Sequence, residues 1–371
     1  INSRQKSSKF STIGTLNVET LNTEEFEKAA CCNLSESFET NATVDVVYND
    51  AVSGSKKIRM LGLDGIYTQI TQENFPLIRG LSSSYGLAFT PGPFVESIQI
   101  IKGTGSVING FESFSGQINI EYFKPECDES FYYNLYGNLE GKVENNLRLV
   151  KKNGKWKSNL LAHFSLHEKE IDNNNDSFLD MPHITNFNFL NRWKYENENI
   201  GLQFYARGFI EERVGGTIDN NSNPYLVEIN NKLIEISSKT GLIKPSKSGK
   251  SIGLQTSFRI HDFDAAFGAN KYSGLQKSAY LNLINQTFIK EEINILKFGL
   301  SFYADEYDQD ITEYNLANAD TGIIPLWYSQ EIYSENRIDI IPGAFAEYFH
   351  RWGELLSITS GFRADYYNKT D

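Results

Sequence analysis

Gly92 to Ile120 reads GPFVESIQIIKGTGSVINGFESFSGQINI, two β-branched runs joined by a link punctuated with glycine. Val95, Ile98, Ile100 and Ile101 form a run ending at Lys102-Gly103, and Gly116 to Ile120 forms a second short strand. Gly103, Gly105 and Gly110 lie between them and supply the positive φ that tight turns need. A strand followed by Gly103-Thr104-Gly105 invites comparison with a phosphate-cradling loop. The third glycine, the Gly-Lys-Ser/Thr ending and an amphipathic helix behind it are missing, which sets nucleotide binding aside.

With Ile78-Arg79-Gly80 upstream, the stretch resembles the plug domain of TonB-dependent outer-membrane receptors. The resemblance rests on Arg79-Gly80, Gly92-Pro93, Val95-Glu96, Ile98, Ile100, Gly103, Ser106, Gly110, Gly116 and Ile118-Asn119-Ile120. Gln99 stands for the family's second acid and Lys102 for its arginine. The fold it implies is mainly β: a transmembrane antiparallel β-barrel with an N-terminal α+β plug.

Composition alone suggests an ordinary soluble acidic chain, with 371 residues, net charge -12 and mean hydropathy -0.40. No apolar run is long enough for a membrane helix, and no nucleic-acid partner is expected. A transmembrane barrel alternates lipid-facing and lumen-facing side chains, so low mean hydropathy is compatible with it. Twenty Tyr and 25 Phe suit the aromatic girdles of such barrels.

Period two, the deciding quantity, is visible beyond about residue 130. From Lys155 to His167, Trp156, Leu160, Ala162, Phe164 and Leu166 share one face; Lys157, Asn159, His163, Ser165 and His167 share the other. From Ile200 to Glu211, Ile200, Leu202, Phe204, Ala206 and Ile210 oppose Gln203, Tyr205, Arg207 and Glu211. Leu296 to Phe302 and Leu356 to Ala364 repeat the pattern.

Connections alternate short and long, which separates a barrel from a soluble sandwich. Short ones are Asn153-Gly154 (a type I′ pair), Glu196 to Asn199, Lys244 to Gly249, Lys290 to Glu292 and Arg351 to Glu354. Long ones are Glu168 to Met181, Val214 to Asn231, Asp264 to Ser273 and Asp308 to Glu335. The count is roughly eleven strands, against about 22 in plugged transporters. An open sheet edge cannot face lipid, so the chain reads as a segment holding about half a barrel, the alternative being a barrel completed by a second chain. No secretory signal or TonB box is recognisable at the amino end, where processing or truncation is the expectation.

Residues 1–125 are read as the plug and 126–371 as the partial barrel. Within the plug the expected elements are strands Leu16 to Val18 and Thr43 to Val47, and a short helix Thr23 to Cys31. A hairpin of Ile58 to Leu61 with Ile66 to Ile70, turned at Asp64-Gly65, is also expected. Lys124-Pro125 marks the exit to a first barrel strand, Phe131 to Leu139.

Three cysteines, Cys31, Cys32 and Cys127, are too few for a disulfide scaffold and read as apolar fillers or as one bridge from plug to barrel. Asp172, Asn174, Asp176 and Asp180, with the Phe178 carbonyl, have the spacing of a structural Ca²⁺ loop. Ser177 replaces its turning glycine and His183 its bidentate Glu. The alternative is a solvated loop of turn formers. His163 and His167 lie about 13 Å apart on a strand, too far to share an ion. Asp305, Glu306, Asp308 and Asp310 read as an acidic entry to a long loop.

No nucleophile elbow or zinc-hydrolase pair is present, so no enzyme is expected. The resemblance implies active uptake of a scarce solute across the bacterial outer membrane, powered by TonB, ExbB and ExbD. It favours an iron-siderophore or other metal chelate as cargo. A SusC-like importer of oligosaccharides or peptides with a surface lipoprotein, or a non-transporting structural barrel, is the alternative. It further implies a plug–barrel lock at Arg79, Glu96 and Lys102, while Tyr85, Phe89 and Phe94 are candidates either to touch cargo or to pack beneath the loops.

Overall fold

A computed structural model describes residues 8–11, 18–22, 33–38, 41, 43–218, 225–243, 250–289, 294–316, 328–352 and 356–368. Nine strands come first: β1 (Ser8–Ser11), β2 (Val18–Asn22), β3 (Val44–Asp50), β4 (Ser55–Met60), β5 (Leu63–Asp64), β6 (Thr68–Gln72), β7 (Phe75–Pro76), β8 (Val95–Lys102) and β9 (Gly116–Tyr122). They form a mixed sheet in the order β1-β2-β8-β9-β6-β7 and a small sheet β3-β4-β5. The quoted stretch is its centre, with β8 and β9 antiparallel and β6 joining β9 in parallel.

β-branched side chains on the inner faces make the core. Ile98, Ile100, Ile118 and Ile120 are fully buried, packed with Leu21, Ile70 and Met60. Gly116 is required there, because a Cβ would stand 2.0 Å from Met60 Sδ. The expected hairpin of Ile58 to Leu61 with Ile66 to Ile70 does not form. β4 pairs with β3 and β5, while Asp64 caps a 3₁₀ turn, Gly65–Tyr67, that sends β6 into the other sheet. The second early strand begins at Val18, and the expected helix, with Cys31 and Cys32, lies outside the described residues.

Eleven antiparallel strands follow, each bonded to its neighbours in sequence: β10 (Phe131–Gly137), β11 (Lys142–Asn153), β12 (Trp156–His167), β13 (His183–Glu196), β14 (Ile200–Gly216), β15 (Leu226–Ile243), β16 (Ser251–Phe267), β17 (Asn270–Ile289), β18 (Asn294–Leu316), β19 (Tyr328–Trp352) and β20 (Leu356–Asp365). Their burial is the reverse of a soluble sheet. Phe164, Phe204, Phe258 and Leu300 are exposed, whereas Asn159, His163, Arg207, Asn231 and Glu235 are buried around the plug. That is what a wall between lipid and a polar lumen requires.

Connections differ from expectation at several places, the ends of Val214 to Asn231 among them, since β14 runs to Gly216 and β15 starts at Leu226. The turn after β11 is Gly154-Lys155, one residue later than Asn153-Gly154, since Asn153 already pairs with Trp156. The segment Asp264 to Ser273 is strand except for a two-residue turn, because Phe267 pairs with Asn270. Most of Asp308 to Glu335 is likewise strand, with β18 and β19 paired out to Leu316 and Tyr328. Asp305, Glu306, Asp308 and Asp310 therefore sit on β18 and not at a loop entry. Polar strand projecting past an apolar belt has the composition of a loop.

Candidate functional site

Irregular plug turns leave backbone carbonyls without ladder partners, and the lumen wall must supply donors. Arginine, with five donors on a long stem, fills that role repeatedly. Arg207 donates to Gln72 Oε1 at 2.7 Å and to the Phe89 carbonyl. Arg213 reaches the Ser53 carbonyl at 3.0 Å, and Arg259 reaches those of Leu77 and Pro76, each at 2.8 Å. Arg363 holds the Val107 carbonyl at 3.0 Å.

Glu73 is the most enclosed ionic contact. It sits in the two-residue turn between β6 and β7, where Glu73 and Asn74 have φ of 54° and 61°. Only 1% of its side chain is exposed. Arg192 donates to its Oε1 at 2.8 Å and Lys124 at 3.1 Å, while Gln203 reaches Oε2 at 3.3 Å and Lys239 lies at 3.5 Å. Burial works to raise its pKa, but Arg192, Lys239 and Lys124 outweigh that and hold the carboxyl well below the usual range.

Arg79 makes a second ionic contact between plug and wall. Its Nε donates to Glu112 at 2.7 Å within the plug, its Nη1 to Asp305 of β18 at 2.5 Å, and the guanidinium lies 4.8 Å from the Tyr303 ring centre. Burial opposes its charge, yet Glu112 and Asp305 raise its pKa further. Gly80 explains why the pair is Arg-Gly. Its φ is +59°, and a Cβ would come 2.5 Å from Gln276 Oε1 and 2.6 Å from the Tyr307 hydroxyl.

Glu96 and Lys102, the other residues expected at a lock, both lie on β8. Lys102, half exposed, stands 3.9 Å from Glu19 within the plug. Glu96 on β8 has its pKa raised by burial and lies in the field of Lys124, Glu121, Glu73 and Arg192. The acid that barrel cations grip is Glu73, which sequence reasoning missed. A Gln-Glu-Asn turn looks like any solvated turn until Arg192 and Lys239, more than 100 residues away, are brought to it.

Two of the three aromatic candidates, Phe89 and Phe94, are placed as the packing alternative describes. Phe89 is fully buried against Phe209 at 4.4 Å and His261 at 5.4 Å, and Phe94 is buried against Tyr122 and His163. Both serve packing, because their rings are enclosed. Tyr85 packs on Phe263 at 5.5 Å and also lines a cavity of about 360 Å³ between the β3–β4 hairpin and strands β11 to β14. Tyr48, Glu144, His163 and Arg213 share that lining, as does Ser55, whose buried Oγ has no hydrogen-bond partner among the described residues. His167 also lines it, with its ring nitrogens 3.0 Å from the Pro182 carbonyl and 3.1 Å from that of Glu140.

The loop read for calcium is closed by its own amides. Asp172 accepts from the Asp176 and Ser177 N–H groups, Asn174 from Asp176, Asp176 from Phe178, and Asp180 from Asn173. Among the described residues no group of three His, Cys, Asp or Glu side chains is arranged to hold a metal ion. Cys127 is half-buried at the plug exit, 3.7 Å from the Glu129 carbonyl.

Residues 12–117 match the family model of the TonB-dependent receptor plug domain, and the eleven-stranded wall packs against that plug. Residues 12–117 thus match the plug domain of that family, and the strand wall has the fold of solved receptor barrels. The exposed apolar face of the strand wall suits a membrane-spanning β-barrel. The pyoverdine outer membrane receptor FpvA of Pseudomonas aeruginosa is similar over 95% of this chain and 57% of its own, with 13% identity and TM-score 0.76. The alcaligin outer membrane receptor FauA of Bordetella pertussis is similar over 98% and 61%, with 11% identity and TM-score 0.71. The copper transporter OprC is similar over 97% and 55%, with 12% identity and TM-score 0.73. No curated protein sequence matches. Identities this low show the fold alone, and the chain spans little more than half the length of these three receptors.

Proposed function

We propose that the protein containing this chain is an energy-coupled importer of a scarce solute, with a metal chelate of the iron-siderophore type as cargo. The observation that carries the reading is how the plug is held. Arg79–Asp305 and Glu73–Arg192 are ionic contacts between complementary partners, and such contacts can break and re-form without exposing a large apolar core. A gate needs that property, whereas a permanent stopper does not. TonB, with ExbB and ExbD, is the proposed source of force.

Cargo is argued more coarsely. Structural neighbours described as pyoverdine and alcaligin receptors and as a copper transporter support a metal chelate. The test is uptake of radiolabelled ferric chelate under iron limitation, in cells with and without the full-length gene. Energy-dependent uptake lost on deletion and on collapse of the proton-motive force is the expected result. Unchanged uptake rejects the iron assignment.

A structural Ca²⁺ in the Asp172 to Asp180 loop is proposed separately, supported by Asp172 and Asn174 oxygens that converge on the Asp176 amide. Binding must displace those amide bonds, so the hold is weak. A rise in melting temperature with added Ca²⁺, lost in Asp172→Asn, is expected; no shift removes the ion from the account.

A further inference from the structure

Arg79 and Arg192 both bridge plug and wall, but they differ in what each keeps when its contact opens. Arg79 is shared between two acids. Glu112, on the plug with it, accepts from Nε at 2.7 Å, and Asp305 of β18 accepts from Nη1 at 2.5 Å. When the plug draws back, Glu112 travels with Arg79 and goes on compensating its charge. Asp305 is held from its own side as well, since Gln276 of β17 donates to its Oδ1 at 3.1 Å.

The Glu73 corner makes no such provision for its arginine. Arg192 has none of its side chain exposed, and its Nε and Nη1 have no hydrogen-bond partner among the described residues. Its acid there is Glu73 of the plug, 2.8 Å away. Withdrawing Glu73 leaves a buried guanidinium without an anion. Withdrawing Arg79 leaves that arginine paired and Asp305 hydrogen-bonded.

We propose that Glu112 is a positioning residue that makes Arg79–Asp305 a releasable latch, while the Glu73–Arg192 corner, held also by Lys124 at the plug exit, stays closed. The effect has a definite sign. Glu112 gives Arg79 a partner that survives opening. Because both carboxylates contact one guanidinium, Glu112 also repels Asp305 when the latch is closed, so it weakens the hold of the wall on the plug. Removing its charge tightens the latch. The proposal rests on plug movement as the basis of import and names the contact that yields.

Leu81 reports the latch directly. Its N–H crosses the interface to Gln276 Oε1 at 3.0 Å, and its hydrogen exchanges when that bond opens. The test is hydrogen exchange at the Leu81 amide, resolved by mass spectrometry with electron-transfer fragmentation, on purified full-length receptor without cargo or TonB. Glu112→Gln is expected to slow exchange about threefold or more, the reverse of what losing a merely structural ion pair would do. Equal or faster exchange in that variant overturns the proposal. Asp305→Asn leaves Arg79 paired with Glu112 and is expected to quicken exchange about tenfold in a receptor that still folds. Unchanged exchange there also overturns the proposal, and it decides the matter when Glu112→Gln fails to fold. No uptake enters the measurement, so the failure of the cargo assignment and the failure of the latch are separate results.

Discussion

Glu73 carries two costs at one position, a left-handed backbone and a buried carboxylate, and both are compensated by barrel side chains. Its folded pKa lies below the unfolded one. It therefore contributes stability at every pH above the ordinary carboxylate range, near about 4.3, and loses it only as pH falls through the lowered value. Protection of the plug from protease is expected to stay constant from pH 7 to about 5 and to decline only in stronger acid. A loss of protection near pH 5 in the parent would contradict this. Glu73→Gln leaves Arg192 buried with its charge uncompensated, a loss of about 3–5 kcal/mol measurable by denaturant unfolding. At this scale the sequence was partly legible. Arg79-Gly80 stood out through its motif, and Gly80 has a steric reason. Glu73, Arg192, Arg207 and Arg259 did not stand out, because their meaning lies in contacts 100 to 200 residues apart in the chain.

Among the elements, period two located every barrel strand that it was applied to, and its polarity gave the wall its orientation. Leu300 shows the consequence: exposed in the apolar belt, it tolerates no charge. Leu300→Arg is expected to cost about 2–4 kcal/mol of folding into lipid vesicles if it lies near the midplane depth. An arginine at Asp308, outward of the belt on the same strand, is expected to cost far less. Equal costs at the two positions would contradict the assignment of the belt. Strand ends were harder to read than strand centres. β18 and β19 run 23 and 25 residues, well past the nine to eleven that cross a bilayer, and their polar extensions read as loop. The Asp64-Gly65 turn misled for another reason. Its signal for a reversal was sound, but a 3₁₀ turn and a sheet change can use the same residues as a hairpin.

For the whole molecule, eleven strands around a plug leave β10 and β20 as edges among the described strands, and the chain covers little more than half of the receptors it resembles. Fold was legible through one glycine-rich motif and one periodicity, because both follow from backbone geometry. Cargo was not, since it depends on loop surfaces that no local pattern specifies. In the proposed import the plug must shift against the wall. Val107 and Gly361 offer a direct test, as a Cβ on Gly361 would lie 3.6 Å from the Val107 Cβ, within the range for a disulfide. The measurement is energy-dependent cargo uptake by full-length Val107→Cys/Gly361→Cys, with Cys31, Cys32 and Cys127 replaced by Ser, before and after reduction. Uptake blocked when oxidised and restored on reduction is the predicted result; full uptake through a fully formed tether would contradict it.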